Sequence, residues 1–254
     1  MEGVNLLEQE HAWYPLSFLG ITTPLSALDS DTIIHTWIAL GALTVLSCIA
    51  YFFLQRPTST GGFIVKQAAA TLVDLVEQSV GTFVERYYLF IGSLFIFIVS
   101  CNWIALLPTI EEPTKNINTT FALGIIAFLF TQKEIITLHG IKAYLSEYFL
   151  PFDVMLPINL VAGIALLPLK ILGELSTIIS LSLRLFGNIF GGAIITTLYS
   201  YALGNSILLN TITTLLGINL LLTGFFIFFE GFLQAFVFTI LTLTNIAMAA
   251  QKEE

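Results

Sequence analysis

Apolar residues fall in long runs that are separated by short polar stretches. The first run, Ile33 to Leu54, has 22 residues, which suffice to cross a bilayer core about 30 Å thick as a helix. Four further runs of similar or greater length follow it. The pattern therefore predicts an all-α integral membrane protein with five membrane-crossing helices, at about 33–54, 88–107, 119–139, 157–201 and 207–250.

The stretch between the first two spans has a different pattern. Charged residues such as Lys66 and Asp74 alternate there with valines and leucines, which is typical of an amphipathic helix that lies on the membrane surface. We predict this surface helix at about 63–86. Residues 1–31 are polar and acidic and are predicted as an outer N-terminal segment, and residues 32–254 as a single membrane domain.

The last two apolar runs are too long for upright spans. A helix of about 44 residues is roughly 66 Å long, which is about twice the thickness of the bilayer core. Few charged residues occur along these runs, so protrusion into water is disfavoured. We expect two long, steeply tilted helices beside a partner that shields their polar groups, and a kink at Pro168.

Composition supports a membrane protein and excludes several other classes. Hydrophobic residues make up 56% and charged residues 10% of the chain, against roughly 25% charged residues in soluble domains. The net charge of −8 argues against nucleic-acid binding, which needs a basic surface. Cys48 and Cys101 lie far apart inside apolar runs, and no nucleotide-binding or zinc motif is present, so no cofactor or metal is predicted.

The distribution of basic residues predicts the orientation. With an outer N-terminus and five crossings, six basic residues fall on the inner side and Lys115 is the one basic residue in a predicted outer segment. Inner segments of membrane proteins carry an excess of Lys and Arg. An inner C-terminus is therefore expected. The six inner basic residues are Arg56, Lys66, Arg86, Lys133, Lys142 and Lys252.

Three charged residues stand out in the last part of the chain. Between Ile171 and Gln251 the only ones are Glu174, Arg184 and Glu230. An arginine at mid-membrane costs at least ~2.5–3.5 kcal/mol, so Arg184 is a candidate functional residue, with an ion pair to Glu230 as the structural alternative. Helical spacing puts small and polar residues on the same face: Thr177, Ser180, Asn188 and Gly191.

The last predicted helix carries a polar stripe of its own. Asn219, Thr223, Glu230 and Gln234 follow at steps of 4, 7 and 4, so an uninterrupted α-helix would place them on one face. They could form hydrogen bonds between helices or line a path for an ion.

Two segments carry a resemblance to a known family. Ser180-Leu-Ser-Leu-Arg-Leu-Phe-Gly-Asn188 and Gln234-Ala-Phe-Val-Phe-Thr-Ile-Leu-Thr242 resemble the signature of subunit a of F-type ATP synthases. Supporting matches in the same order are Asn102 with Leu107-Pro108, Pro113-Thr114, Ile117 to Thr120, and Pro157 to Leu160.

This resemblance implies a non-catalytic, proton-translocating stator subunit with two aqueous half-channels beside a rotating ring of c subunits. It implies that Arg184 is the family's essential arginine, which deprotonates a ring carboxylate and prevents a proton short circuit. Peripheral-stalk b subunits and other ATP synthase subunits would be further partners. The membrane would be a bacterial inner membrane or an organellar inner membrane. The expected proton route comprises Arg184, Asn188, Gln234, Glu230, Ser180, Asn219 and Glu174.

The sequence departs from the family at two positions. Some relatives carry a carboxylate nine residues after the arginine, where this chain has Ala193, and a His or Glu seven residues before the glutamine, where it has Ile227. Glu230 could supply the missing carboxylate. Residues expected at the mouth of the outer half-channel are Glu111, Glu112 and Asn102.

A secondary transporter with its own substrate site is the alternative function. That reading predicts inverted repeats and broken helices near the midplane. The sequence shows no convincing internal repeat and one kink signal, Pro168.

Overall fold

The computed structural model describes residues 12–13, 28–56, 60–107, 110–149, 156–203, 211, 213 and 217–250. A two-residue antiparallel pair joins Ala12–Trp13 to Leu28–Asp29, and the other regular elements described are helical. The α-helices are α1 Ser30–Leu54, α2 Thr60–Val80, α3 Glu85–Trp103, α4 Ile117–Phe149, α5 Leu156–Leu203, α6 Ile218–Thr223 and α7 Gly231–Ala250. Short 3-10 turns at Ile104–Leu106 and Pro113–Lys115 and a π-helix at Gly224–Glu230 complete them.

Five helical stretches in the described part of the chain are long and apolar enough to cross a membrane. Their apolar side chains largely face outwards, as a lipid solvent requires, and a helix pairs most of its backbone groups within itself. The predicted all-α integral membrane fold is therefore confirmed. The five stretches are Ser30–Leu54, Glu85–Leu106, Ile117–Ser146, Ala162–Leu203 and Gly224–Ala250.

Local sequence explains where the first helices begin and end. Asp29 caps α1, because its carboxylate accepts hydrogen bonds from the Asp31 N–H at 3.1 Å and the Thr32 hydroxyl at 2.6 Å. Gly81 adopts φ 87°, which ends α2 at Val80 and lets the chain reverse into α3. The predicted surface helix ran on to residue 86, whereas the structure has Glu85 and Arg86 in the first turn of α3.

Two later helices differ from simple straight spans. The path of α4 breaks at Gly140, with φ 79° and ψ 156°, which is the point where the predicted third span ends. By contrast, α5 is a single helix of 48 residues that includes Pro168. The predicted last helix is not one continuous α-helix, because the π-helix separates α6 from α7.

The core is a bundle of α3, α4, α5 and α7. α1 lies at the edge, since Ala39 is its one buried residue. α2 packs through Val76 against α3 and α7. The main cluster of buried side chains comprises Leu94, Ile98, Leu123, Ala127, Leu181, Leu185, Ile189, Ala235 and Phe238.

Candidate functional site

α5 has one packed face and one open face. Leu181, Leu185 and Ile189 are buried against the bundle, whereas Ser180 and Arg184 are exposed. Within the described ranges Arg184 forms no ion pair, so the alternative pairing with Glu230 is not observed. The open face therefore presents a positive charge that has no ion pair among the described residues, in a helix that is mostly apolar.

Small residues make this open face accessible to another helix. Apart from the adjacent residues and the nearby backbone of α5, no atom of the described residues lies within 4 Å of the position that a Cβ would take at Gly187 or Gly191. Glycines four residues apart let two membrane helices approach closely. The surface around Arg184 thus has the shape of a helix-docking face.

Asn188 and Gln234 join α5 to α7 one turn from Arg184. The Asn188 Nδ2 donates to Gln234 Oε1 at 2.6 Å, and the Gln234 side chain is buried. The Gln234 Nε2 has no hydrogen-bond partner among the described residues, so it has donors left for another group. The two amides predicted to belong to the site are brought together.

A cavity of about 150 Å³ lies between α4, α5 and α7, which we call the bundle cavity. It is displaced from Arg184 towards the N-terminal part of α5 and the C-terminal part of α7. Its volume is sufficient for several water molecules, and Glu174 is part of its wall. The polar lining residues are Thr131, Gln132, Glu174, Thr177, Thr242 and Asn245.

A larger, open cavity of about 600 Å³ lies where the start of α1 meets the loop before α4, and we call it the loop cavity. Glu111 in its wall pairs with Lys115 at 3.0 Å. Burial raises the pKa of Glu112 above its ordinary value, and Lys115 opposes this effect. The lining residues are Asp29, Asp31, Thr32, His35, Glu111, Glu112, Lys115 and Asn116.

Asn102 was expected at the mouth of a channel, but its side chain is fully buried. Its Nδ2 donates to the backbone carbonyl of Gly231 at 2.7 Å, and its Oδ1 accepts from the Thr114 hydroxyl at 2.6 Å. The amide connects the end of α3 to the start of α7. Its position indicates a structural link between these helices, and its place at the mouth of the outer half-channel stays a prediction.

Glu230 is the last residue of the π-helix and is half-buried. A π-helix forms i→i+5 hydrogen bonds, so the α-helical spacing that placed Asn219, Thr223, Glu230 and Gln234 on one face does not hold across it. The prediction of a single stripe is therefore wrong across residues 224–230. The side chains of Asn219 and Thr223 lie outside the described part of the chain.

Sequence reasoning missed two features of the site region. Asp29, Asp31 and His35 line the loop cavity, although they lie far from Glu111 in sequence. Glu134 is fully buried and pairs with Arg86 at 3.4 Å. The sequence contained one indication of this pair, because Glu134 lies inside a predicted span, where an unpaired charge is costly.

Comparisons with known proteins agree on one family. The family model described as "ATP synthase A chain" matches residues 33–247. A protein named ATP synthase subunit a from Geobacter sulfurreducens is 31% identical over 240 residues, covering 92% of this chain and 96% of its own length. A protein of the same name from Moorella thermoacetica is 32% identical and covers 85% and 89%. "ATP synthase subunit a 2" from Acaryochloris marina is 29% identical and covers 88% and 86%.

Proposed function

The chain belongs to the ATP synthase A chain family, the proton-translocating component of the membrane sector, and from this premise we propose how it moves protons. It provides two aqueous half-channels to a rotating ring of c subunits. Arg184 acts on the ring carboxylate between them. Family membership argues against the alternative of a secondary transporter with its own substrate site.

The observation that carries this proposal is the environment of Arg184. The side chain is exposed on a small-residue face of a membrane helix, without an ion pair in the described part of the chain. An unpaired arginine in a membrane is costly. A carboxylate on a partner that docks against Gly187 and Gly191 would compensate this charge, and the ring carboxylate has the required chemistry.

The chemistry is electrostatic and needs no covalent step in this chain. The charge of Arg184 favours the ionised form of a ring carboxylate that comes close to it, so the proton leaves into one half-channel. A proton from the other half-channel then neutralises the carboxylate, which can move on into lipid. Because arginine stays protonated in proteins, Arg184 does not itself carry protons between the half-channels.

The two cavities lie on opposite sides of the Arg184 level and support a half-channel on each side. We assign the bundle cavity, with Glu174 in its wall, to the inner half-channel. We assign the loop cavity, with Glu111 and Glu112, to the outer one. Glu230 lies four residues before Gln234 and would relay protons from the outer side towards the ring.

The partners and the membrane follow from the same assignment. The ring docks on the open face of α5, and the peripheral-stalk b subunits and other ATP synthase subunits contact further surfaces of the chain. The chain is a multi-pass membrane protein, and because the relatives named above are bacterial, we propose a bacterial inner membrane. The excess of Lys and Arg in the inner segments supports an outer N-terminus and an inner C-terminus.

Replacement of Arg184 in the assembled complex tests the proposal. We expect Arg184→Ala to abolish coupled ATP synthesis in membrane vesicles and to increase passive proton flux, because the separating charge is lost. Arg184→Lys should also fail, since a desolvated lysine can exchange its proton. Arg56→Ala is the matched control, because Arg56 is exposed at the end of α1, where its guanidinium lies over the Phe52 ring.

The control variant should retain coupled synthesis and a low passive flux. Near-normal coupled synthesis in Arg184→Ala, with the chain present in the complex at its usual level, would contradict the proposed role. Arg184 would then be a docking residue and not the group that acts on the ring carboxylate.

A further inference from the structure

The π-helix at Gly224–Glu230 interrupts the last membrane-crossing stretch, with α-helix on both sides. A π-helix pairs its backbone groups i→i+5 instead of i→i+4, so the hydrogen-bond pattern changes at each of its ends. In a membrane, unsatisfied backbone groups cost several kcal/mol each. Backbone carbonyls at these ends are therefore stabilised by hydrogen-bond partners on other helices.

Two side chains at the end of α3 supply these partners. Trp103 Nε1 donates to the backbone carbonyl of Phe228 at 3.1 Å, and Asn102 Nδ2 donates to that of Gly231 at 2.7 Å. Both acceptors belong to the junction between the π-helix and α7. The donors lie more than 120 positions earlier in the chain, so tertiary packing creates these bonds.

The surrounding contacts fix both donors in place. Asn102 Oδ1 accepts from the Thr114 hydroxyl at 2.6 Å, so the two ends of the amide are both engaged. The Trp103 ring stacks on Phe228 with 4.6 Å between ring centroids. Gly231 permits the close approach, because a Cβ there would lie 3.0 Å from the Asn102 Cβ.

Glu230 lies between the two carbonyls that are held. The direction of a helical side chain depends on the turn to which its residue belongs, so the point where the π-helix returns to α-helix sets the direction of Glu230 relative to Gln234. We propose that Asn102 and Trp103 are positioning residues that hold this junction and thereby aim the Glu230 carboxylate. The proposal rests on the proposed function only in making Glu230 the outer proton relay.

The direct test follows the position of residue 230 and not proton transport. The complex carries Glu230→Cys, and a membrane-impermeant thiol reagent is added from the outer side. Cys48 is exposed and is replaced by alanine so that it does not react, whereas Cys101 is buried and is kept. Asn102→Leu and, separately, Trp103→Phe should each change the modification rate about fivefold, the effect of one ordinary hydrogen bond on a conformational equilibrium. Matched controls are Asn118→Leu and Trp37→Phe, both exposed, which should leave the rate unchanged.

Trp103→Phe loses the hydrogen bond but retains an aromatic ring for the stack on Phe228. If Asn102→Leu does not assemble into the complex, the modification rate in Trp103→Phe tests the proposal. Modification rates equal to those of the controls in the variants that assemble would overturn the proposal. This outcome is independent of Arg184→Ala, which tests the proposed function.

A functional readout completes the test. With Glu230 present, Asn102→Leu should slow proton uptake from the outer side and displace the outer-pH profile of ATP synthesis as Glu230→Gln does. In the Glu230→Gln background, Asn102→Leu should cause no further change. Additive losses would show that Asn102 acts on stability alone and would overturn its positioning role.

Discussion

The ion pair between the exposed Arg86 and the buried Glu134 allows a quantitative prediction about stability. Glu134 lies within α4, and its side chain is 1% exposed, while the Arg86 side chain at the start of α3 is 55% exposed. The distance between Arg86 Nη2 and a Glu134 carboxylate oxygen is 3.4 Å. Arg86→Ala would leave a carboxylate in the bundle without the cation that compensates its charge.

Removing one partner of a fully buried pair costs about 3–5 kcal/mol. Because water screens the exposed half of Arg86, we expect a loss of about 2–3 kcal/mol for Arg86→Ala. At about 2–4 °C per kcal/mol for a chain of this size, the melting temperature in detergent should fall by about 4–12 °C. Thermal unfolding of the purified chain, followed by circular dichroism, measures this change.

A variant of Glu134 shows whether the loss of stability in Arg86→Ala depends on the buried charge. In a Glu134→Gln background, Arg86→Ala should cost less than about 1 kcal/mol, because no buried charge remains to be compensated. Glu85→Gln is the matched control for the carboxylate, since Glu85 is exposed next to Arg86. Equal effects of Arg86→Ala with and without the Glu134 charge would refute the reasoning.

Two further predictions concern the cavities. Burial raises the pKa of Glu112 above its ordinary value of 4.5, so its stabilising contribution is fully present below pH 4.5 and is lost as the pH rises through the raised pKa. The melting temperature of Glu112→Gln relative to the unmodified chain should therefore rise between pH 4.5 and 7, and a pH-independent difference would contradict this. In the bundle cavity, Asn245→Leu removes a polar lining group and should slow proton exchange from the inner side severalfold in vesicles. Thr244 is exposed, so Thr244→Leu is the control and should leave this rate unchanged. Equal exchange rates in the two variants would count against the inner half-channel.

The sequence by itself determined the fold class, because the solvent dictates it. Apolar runs long enough to span a bilayer can satisfy their backbone groups only as helices or closed barrels, and their length indicates helices. Arg184 could be singled out in the same way, since a charge in an apolar run carries a known cost. The spacing of Arg184 and Asn188 along one α-helix likewise needed only helical periodicity, because α5 is continuous there.

The hydrogen bond from Asn188 to Gln234, by contrast, joins residues 46 positions apart and depends on how α5 packs against α7. Local periodicity failed at Glu230, because a π-helix ends there, and the bonds from α3 to the Phe228 carbonyl of the π-helix and to the Gly231 carbonyl of α7 arise from tertiary packing. The same holds for Glu134, whose partner Arg86 comes from another helix. Hydropathy and periodicity report a residue's own helix, whereas these contacts arise between helices, so only the tertiary structure decided them.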